Sequence, residues 1–143
     1  MELSMTPEER LAFISDTPRV GVLSMQAPDR GPVSSPIWYT VEADRTLTFS
    51  VGEASVKTTL LRAAGRATMC VQSEVAPYSY VTIEGPVTEV GASTDEARRE
   101  RAHRYLGAEF GELYFESTRG EPDLTFALLP KRWSSLDYAK LFA

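Results

Sequence analysis

The sequence predicts a mainly β protein, an antiparallel β-barrel, closed or partly closed, with helices packed outside it. Three observations carry that expectation. Short β-rich runs follow one another with brief turns between them, and no strand–helix–strand alternation dominates. Two runs alternate as half-buried strands do: Leu47, Phe49 and Val51 in "TLTFSV", and Val81 and Ile83 against Tyr80, Thr82 and Glu84 in "YSYVTIEG". Neither GxGxxG nor GxxxxGK[ST] occurs, which disfavours a Rossmann domain and a nucleoside-triphosphate loop.

The elements follow in order. In "TPEERLAFI", Thr6 can cap a helix, Pro7 suits its first position and Glu9 completes a capping box; Pro18 ends it. Strand character runs over Arg19–Gln26, Val33–Glu42 and Thr46–Val51, with "APDRG" and "ADR" as turns, so these runs read as a meander. A helix from Ser55 to about Ala64 is stopped by Gly65. "RATMCVQSE" and "PYSYVTIEGPVTEV" are the next strands, and Gly85-Pro86 inside the second suggests a bulge or an edge. In "STDEARRERAHRYLG", Ser93 and Glu96 form a second capping box. Asp95–Arg99 and Glu100–Arg104 have the spacing of ion pairs on a solvated helix face. Gly107 ends that helix, and a shorter one runs from about Ala108 to Thr118. "DLTFALLP" is a last strand and "KRWSSLDYAKLFA" an aromatic tail.

A length of 143 residues suits one domain over 1–143, and 43% hydrophobic residues can fill a core. No apolar run is long enough for a membrane helix. "MELSMTPEER" lacks the basic and apolar regions of a signal peptide, so a cytoplasmic protein is expected. The net charge of −5 argues against non-specific nucleic-acid binding. The lone Cys70 excludes an internal disulfide and a cysteine zinc site, and its apolar run reads as a buried core thiol. The lone His103 sits among arginines and reads as a solvated surface residue. No metal site is expected, and no nucleophile–base grouping is visible. Any redox or transfer chemistry would therefore come from a cofactor.

Lys57 is out of place in the first turn of a helix, where Asp and Glu are favoured. With Ser55, Thr58 and Thr59 it makes that helix start attractive to an anion, the plain alternative being a lysine reaching into solvent. In "SSPIWY", Pro36 leaves the backbone locally free of ladder bonds. Trp38 and Tyr39 must point to opposite faces, one of them into the barrel or an interface. Tyr78 and Tyr80 share a strand face that could stack on a ligand or close a subunit contact. Lys131 and Arg132 before Trp133 could meet an anionic tail, or Trp133 could seal the barrel end.

The run "RVGVLSMQAPDRGPVSSPIWYTVEADRTLTFSVGEASVKTTLLRAAGRATMCVQ" followed by "YSYVTIEGPVTEV", about Arg19 to Val90, resembles the pyridoxamine 5'-phosphate oxidase-like family. The closing "RWSSLDY" fits its actinobacterial branch. The resemblance implies an FMN-binding split β-barrel that forms a homodimer with cofactor sites at the subunit interface. It implies a cofactor phosphate at Lys57 and Thr58, and a ring system along Ser35, Pro36, Ile37 and Trp38. Ser50 and Val51 would lie at the strand end near the ring. Gln72, Tyr80 and Trp133 would reach a site from the partner subunit.

The strand before Lys57 lacks the arginine, and the tail the histidine, of the pyridoxamine phosphate oxidases proper. The likeness therefore points to the flavin/deazaflavin oxidoreductase branch, whose members use FMN or coenzyme F(420). It implies hydride transfer to a small unsaturated substrate, with Tyr80 as a possible proton donor. Arg62, Lys131 or Arg132 would meet the glutamyl tail of F(420). The alternative is a non-catalytic flavin or haem binding or storage module on the same barrel.

Overall fold

A computed structural model describes residues 2–143. The chain runs α1 (Pro7–Ser15), β1 (Gly21–Met25), β2 (Val33–Ile37), β3 (Thr40–Val41), β4 (Leu47–Gly52) and α2 (Val56–Ala64). It continues with β5 (Arg66–Ser73), β6 (Ser79–Ala92), α3 (Asp95–Thr118), β7 (Asp123–Leu128) and β8 (Arg132–Asp137), and closes on a 3-10 turn at Tyr138–Phe142. The expected barrel with external helices is present as an antiparallel, strongly curled sheet. Its strand order is β2-β1-β5-β6-β7-β4-β3, with β8 paired to β6.

That order shows how the sheet curls. Its two ends, β2 and β3, are consecutive in the chain, and only Trp38 and Tyr39 separate them. Two residues span less than about 11 Å at full extension, so the ends must come round to meet. The expected meander forms as two antiparallel hairpins, β1–β2 and β3–β4, that lie at opposite ends of the path, with β1 also pairing β5 and β4 pairing β7. The single run predicted over Val33–Glu42 is broken at Trp38–Tyr39 because the chain passes there from one end of the curled sheet to the other.

β6 makes the second corner. Its first half pairs with β5 and β8, its second half with β7. β7 and β8 run along β6 almost as one strand, interrupted at Leu129–Lys131 opposite Gly85-Pro86. The bulge expected there lies on the partner strand, three residues facing two. Gly85 is required by the close approach, because a Cβ on it would stand 1.7 Å from the Leu129 carbonyl oxygen. A further register shift falls between Glu89 and Gly91.

The core is the inner face of the curled sheet: Leu23, Met25, Leu47, Phe49, Met69, Val71, Val81, Ile83, Phe126 and Leu128 are all 2% exposed or less. Each contributes about 1.5–3 kcal/mol by leaving water. α1 closes one end through Ile14. Its capping box forms as read, Thr6 Oγ1 accepting from the Glu9 N–H at 3.2 Å. β8, unanticipated in the tail, offers Ser135 Oγ to the Met5 N–H at 3.0 Å and ties the N-terminal segment down. Cys70 differs from the buried thiol expected. On β5 the inward positions are Ala67, Met69 and Val71, which leaves Cys70 half-buried on the outer face.

α3 is a helical hairpin. Gly107 breaks it with φ 84° and ψ 175°, a conformation essentially confined to glycine. The second half folds back on the first so closely that a Cβ on Gly111 would lie 2.7 Å from His103 Cα. The arms are laced across: Arg99 Nε meets Glu112 Oε1 at 3.1 Å, His103 Nε2 lies 2.9 Å from Glu112 Oε2, and Arg119 reaches Asp95 at 3.8 Å. The expected Asp95–Arg99 and Glu100–Arg104 pairs are absent among the described residues: Arg99 and Asp95 are taken by Glu112 and Arg119 across the hairpin, Arg104 donates to the Ser15 carbonyl, and His103 is half-buried in the lacing. The cap is Thr94, whose hydroxyl accepts from the Ala97 N–H; Ser93 is drawn inward to Ser50 and Thr125 instead.

Candidate functional site

A cavity of about 410 Å³ opens where the sheet ends meet, between the β2 edge, the end of β4, the start of α2 and the α3 hairpin. That volume falls within the range of small-molecule sites. Pro36, Ile37, Trp38, Ser50, Val51 and Lys57 all line it, as do Arg98, Arg101, Tyr114 and Phe115.

Each wall has a local cause. β2 ends the sheet path, so its outer edge carries no ladder partner, and Pro36 is tolerated there. Trp38 and Tyr39 do take opposite faces. Tyr39 is 2% exposed and its hydroxyl donates to the Ile14 carbonyl at 2.8 Å; burial drives its pKa well above the ordinary phenol value. Trp38 is left outside, stacked on Tyr105 and tilted against Tyr114, each at 5.1 Å.

α2 starts as the sequence indicates. Ser55 caps it, its hydroxyl accepting from the Lys57 N–H at 3.2 Å, and Gly65 ends it in a left-handed conformation. The Lys57 ammonium donates to Ser35 Oγ at 3.1 Å and makes no ion pair among the described residues. Thr58 is fully buried, and its hydroxyl donates to the Gly52 carbonyl at 2.8 Å, so its visible task is to hold the β4–α2 turn. Thr59 faces solvent.

Ser50 is the hub of a hydroxyl network, with Ser93 at 2.9 Å and Thr125 beyond it at 2.8 Å. Arg101 Nη1 donates to Ser50 Oγ at 3.0 Å, and Arg101 Nε to Thr40 Oγ1 at 3.0 Å. Arg101 is a buried cation on the cavity wall, and desolvation pushes its pKa down. Arg98 pairs with Asp123 at 3.5 Å and donates to the Thr118 carbonyl at 2.6 Å, which pins the second arm of the hairpin over the site.

Other candidates lie elsewhere. Gln72 and Tyr80 are cross-strand partners on the outer face of β5 and β6. Trp133 packs against the core with the Arg10 guanidinium 4.9 Å over its ring. Lys131 and Arg132 line a separate groove with Arg66 and Glu84. Arg62 is held by both carboxylate oxygens of Glu89, at 2.6 and 3.1 Å, and is not free for an anionic tail.

The helix arginines and Tyr105, Tyr114 and Phe115 were not singled out in the sequence. A signal was present: Arg98, Arg101, Ala102 and Tyr105 fall at i, i+3, i+4 and i+7, one face of a helix. A ligand with an anionic end and a planar body fits what is here. Lys57 and Ser35 offer donors to an anion, and the free β2 edge with Ile37, Trp38 and Val51 offers a flat, mostly apolar wall. Among the described residues there is no cluster of metal-ligating side chains, and no helix is long and apolar enough to cross a membrane.

The family model described as pyridoxamine 5'-phosphate oxidase matches residues 6–137. No curated protein matches the chain. Among solved structures, a conserved hypothetical protein of Mycobacterium tuberculosis superposes with a TM-score of 0.76 at 21% identity, over 99% of this chain and 90% of that one. A protein titled F(420) reductase gives 0.71 at 21% identity, over 90% and 98%. A FAD-binding protein from Mesorhizobium loti gives 0.65 at 19% identity, over 92% and 94%. At these identities the likeness is one of fold.

Proposed function

The chain belongs to the pyridoxamine 5'-phosphate oxidase family, and on that premise we propose that it is a flavin- or deazaflavin-dependent oxidoreductase acting on a small unsaturated substrate. One observation carries the reading. Lys57 stands in the first turn of a helix, has no carboxylate partner among the described residues, and faces a cavity walled by an unpaired strand edge. A cation there is unfavourable by a few tenths of a kcal/mol or more unless an anion joins it.

In this reading Lys57 and Ser35 hold the cofactor's phosphate, and the capped start of α2 adds its positive end. Pro36, Ile37 and Trp38 run along the ring system, where the free β2 backbone can bond its polar edge. Ser50 and Val51 abut it at the end of β4, and Thr58 fixes the turn from which Lys57 projects. The bound cofactor, coenzyme F(420) or FMN, supplies the hydride chemistry. The protein orients the ring, excludes water and leaves one face open to substrate. Trp38, braced by Tyr105 and Tyr114, sets the width of the slot.

The proposed assembly is a homodimer. Gln72 and Tyr80, on the outer face of the sheet, are then available to a partner's site, whereas Trp133 packs against the core on the other face. Tyr80 would be the proton donor in that arrangement.

The test is a titration of purified protein with FMN and, separately, with F(420), following tryptophan fluorescence. Tight binding of either, followed by reoxidation of the reduced cofactor on adding a conjugated carbonyl compound, supports the reading. Binding without turnover would favour a cofactor store. Binding of neither overturns it.

A further inference from the structure

The cavity carries a second cation that the cofactor cradle does not use. Arg101 is 7% exposed and lines the same space as Lys57. Its Nε, Nη1 and Nη2 donate to the hydroxyls of Thr40, Ser50 and Thr48 at 3.0, 3.0 and 3.5 Å. All three acceptors are neutral. Among the described residues Arg101 makes no ion pair, whereas Arg98, in the same wall, is matched by Asp123. The carboxylate whose field reaches Arg101 is that of Glu42, one hydroxyl away: Thr48 donates to it at 2.6 Å.

A guanidinium taken out of water with its nearest carboxylate one hydroxyl away is incompletely compensated, and matching it is the usual resolution. A guanidinium has five N–H donors, and three are accounted for here. The remaining two, one on each Nη, have no partner among the described residues, and a guanidinium is the side chain best matched to a carboxylate. The two cations also stand on different sides of the seam. Lys57 reaches β2 through Ser35, while Arg101 is anchored on β3 and β4 through Thr40, Thr48 and Ser50. One anion on Lys57 therefore leaves Arg101 unmatched.

We propose that Arg101 is the binding residue for a carboxylate on the substrate, which makes the substrate class a conjugated carboxylic acid whose flat body lies on the open face of the cofactor ring. The proposal rests on reading the cavity as a cofactor site.

The probes are cinnamate and cinnamamide, alike in shape and differing in charge. Each is titrated into the whole protein with and without the cofactor that binds. The expected result is a preference for cinnamate of about tenfold or more, as a charged hydrogen-bonded pair gives. Arg101→Gln should remove the preference, and Arg101→Lys should keep a reduced part of it. Both should weaken the cofactor less than Lys57→Ala does, since the phosphate interaction runs through Lys57 and Arg101 touches the ring's wall only through Ser50.

Equal affinity for the two probes overturns the proposal. So does a preference that survives in Arg101→Gln, or a loss of cofactor affinity in that variant as large as in Lys57→Ala, which would assign Arg101 to the cofactor's own oxyanion. Should Arg101→Gln fail to fold by circular dichroism, Arg101→Lys decides: an undiminished preference overturns the assignment. Failure of the cofactor reading shows separately, as absent FMN and F(420) binding, and leaves the comparison of probes intact.

Discussion

Trp38 stacks on Tyr105 with ring centroids 5.1 Å apart and planes within 9° of parallel. Tyr105 is itself fixed, since its hydroxyl donates to the Arg19 carbonyl at 2.8 Å and accepts the Tyr39 N–H at 3.2 Å. Removing that hydroxyl leaves two half-buried backbone groups unmet. Tyr105→Phe should therefore destabilise the fold by about 1–2 kcal/mol. Thermal unfolding should fall by roughly 3–6 °C; an unchanged melting temperature would refute this account of Tyr105.

Lys57→Ala should weaken FMN or F(420) binding about 10- to 100-fold, the usual worth of a charged hydrogen bond. Because Lys57 makes no ion pair within the described residues, the melting temperature should stay within about 1–2 °C. Sedimentation should show the same mass for the variant as for the parent, and a mass near one chain in both would sink the dimer. Retained cofactor affinity would mean that the anion lies elsewhere.

Trp38 should be the optical reporter of the cavity, because Trp133 packs against the core outside it. Trp38→Phe is expected to remove most of the fluorescence change on cofactor binding, while Trp133→Phe keeps it. The reverse pattern would relocate the ligand.

Gly107→Ala forces a side chain into a conformation reserved for glycine and should cost about 1–3 kcal/mol. Hydrogen exchange should then speed up in α3 while the strands of the barrel keep their protection, since α3 is held to the strands by side chains and not by backbone hydrogen bonds among the described residues. Uniform loss of protection would count against a hairpin that opens independently.

Glu112 is held below the ordinary carboxylate range, first by its hydrogen bond with His103 and next by Arg99. A depressed folded pKa contributes stability that is fully present above the unfolded value of 4.5 and is lost as pH falls through the folded value. The lacing of the hairpin should therefore loosen on the acid side. Glu112→Gln should flatten that part of the pH–stability profile, read as melting temperature between about pH 5 and 3. An acid limb identical in the two proteins would show that the pair carries no linkage.

How far the sequence could be read depended on the physical signal at each place. α1 and α2 declare their ends through Thr6, Glu9, Ser55 and Gly65, all local hydrogen-bond or backbone effects, and all stand where expected. β8 carries no such signal. Ser135 is its buried position, and a serine satisfied by a backbone N–H looks like a loop residue in any hydropathy pattern. The break at Trp38–Tyr39 was hidden because the strand pattern persists as the chain passes from one end of the curled sheet to the other. In the site, Lys57 was visible because it violates the charge preference of a helix start. Arg101 was masked, because in "ARRERAHR" it resembles its solvated neighbours, and its helix-face spacing with Ala102 and Tyr105 is a faint cue beside that charge run.

The α3 hairpin lies between two strands that are already neighbours. β6 and β7 pair directly, and the Ser93 N–H bonds the Asp123 carbonyl at 2.9 Å across the base of the hairpin. Everything from Thr94 to Pro122 is thus looped out from a junction that is closed without it. Yet this excursion supplies Arg98, Arg101, Tyr105, Tyr114 and Phe115, much of what gives the cavity its charge and its aromatic wall. The proposed cofactor cradle on β2, β4 and α2 and the charged, aromatic wall of the hairpin are consequently carried by separate stretches of chain. A lineage could exchange one hairpin for another, and with it the molecules it accepts, without rewriting a single rung of the sheet.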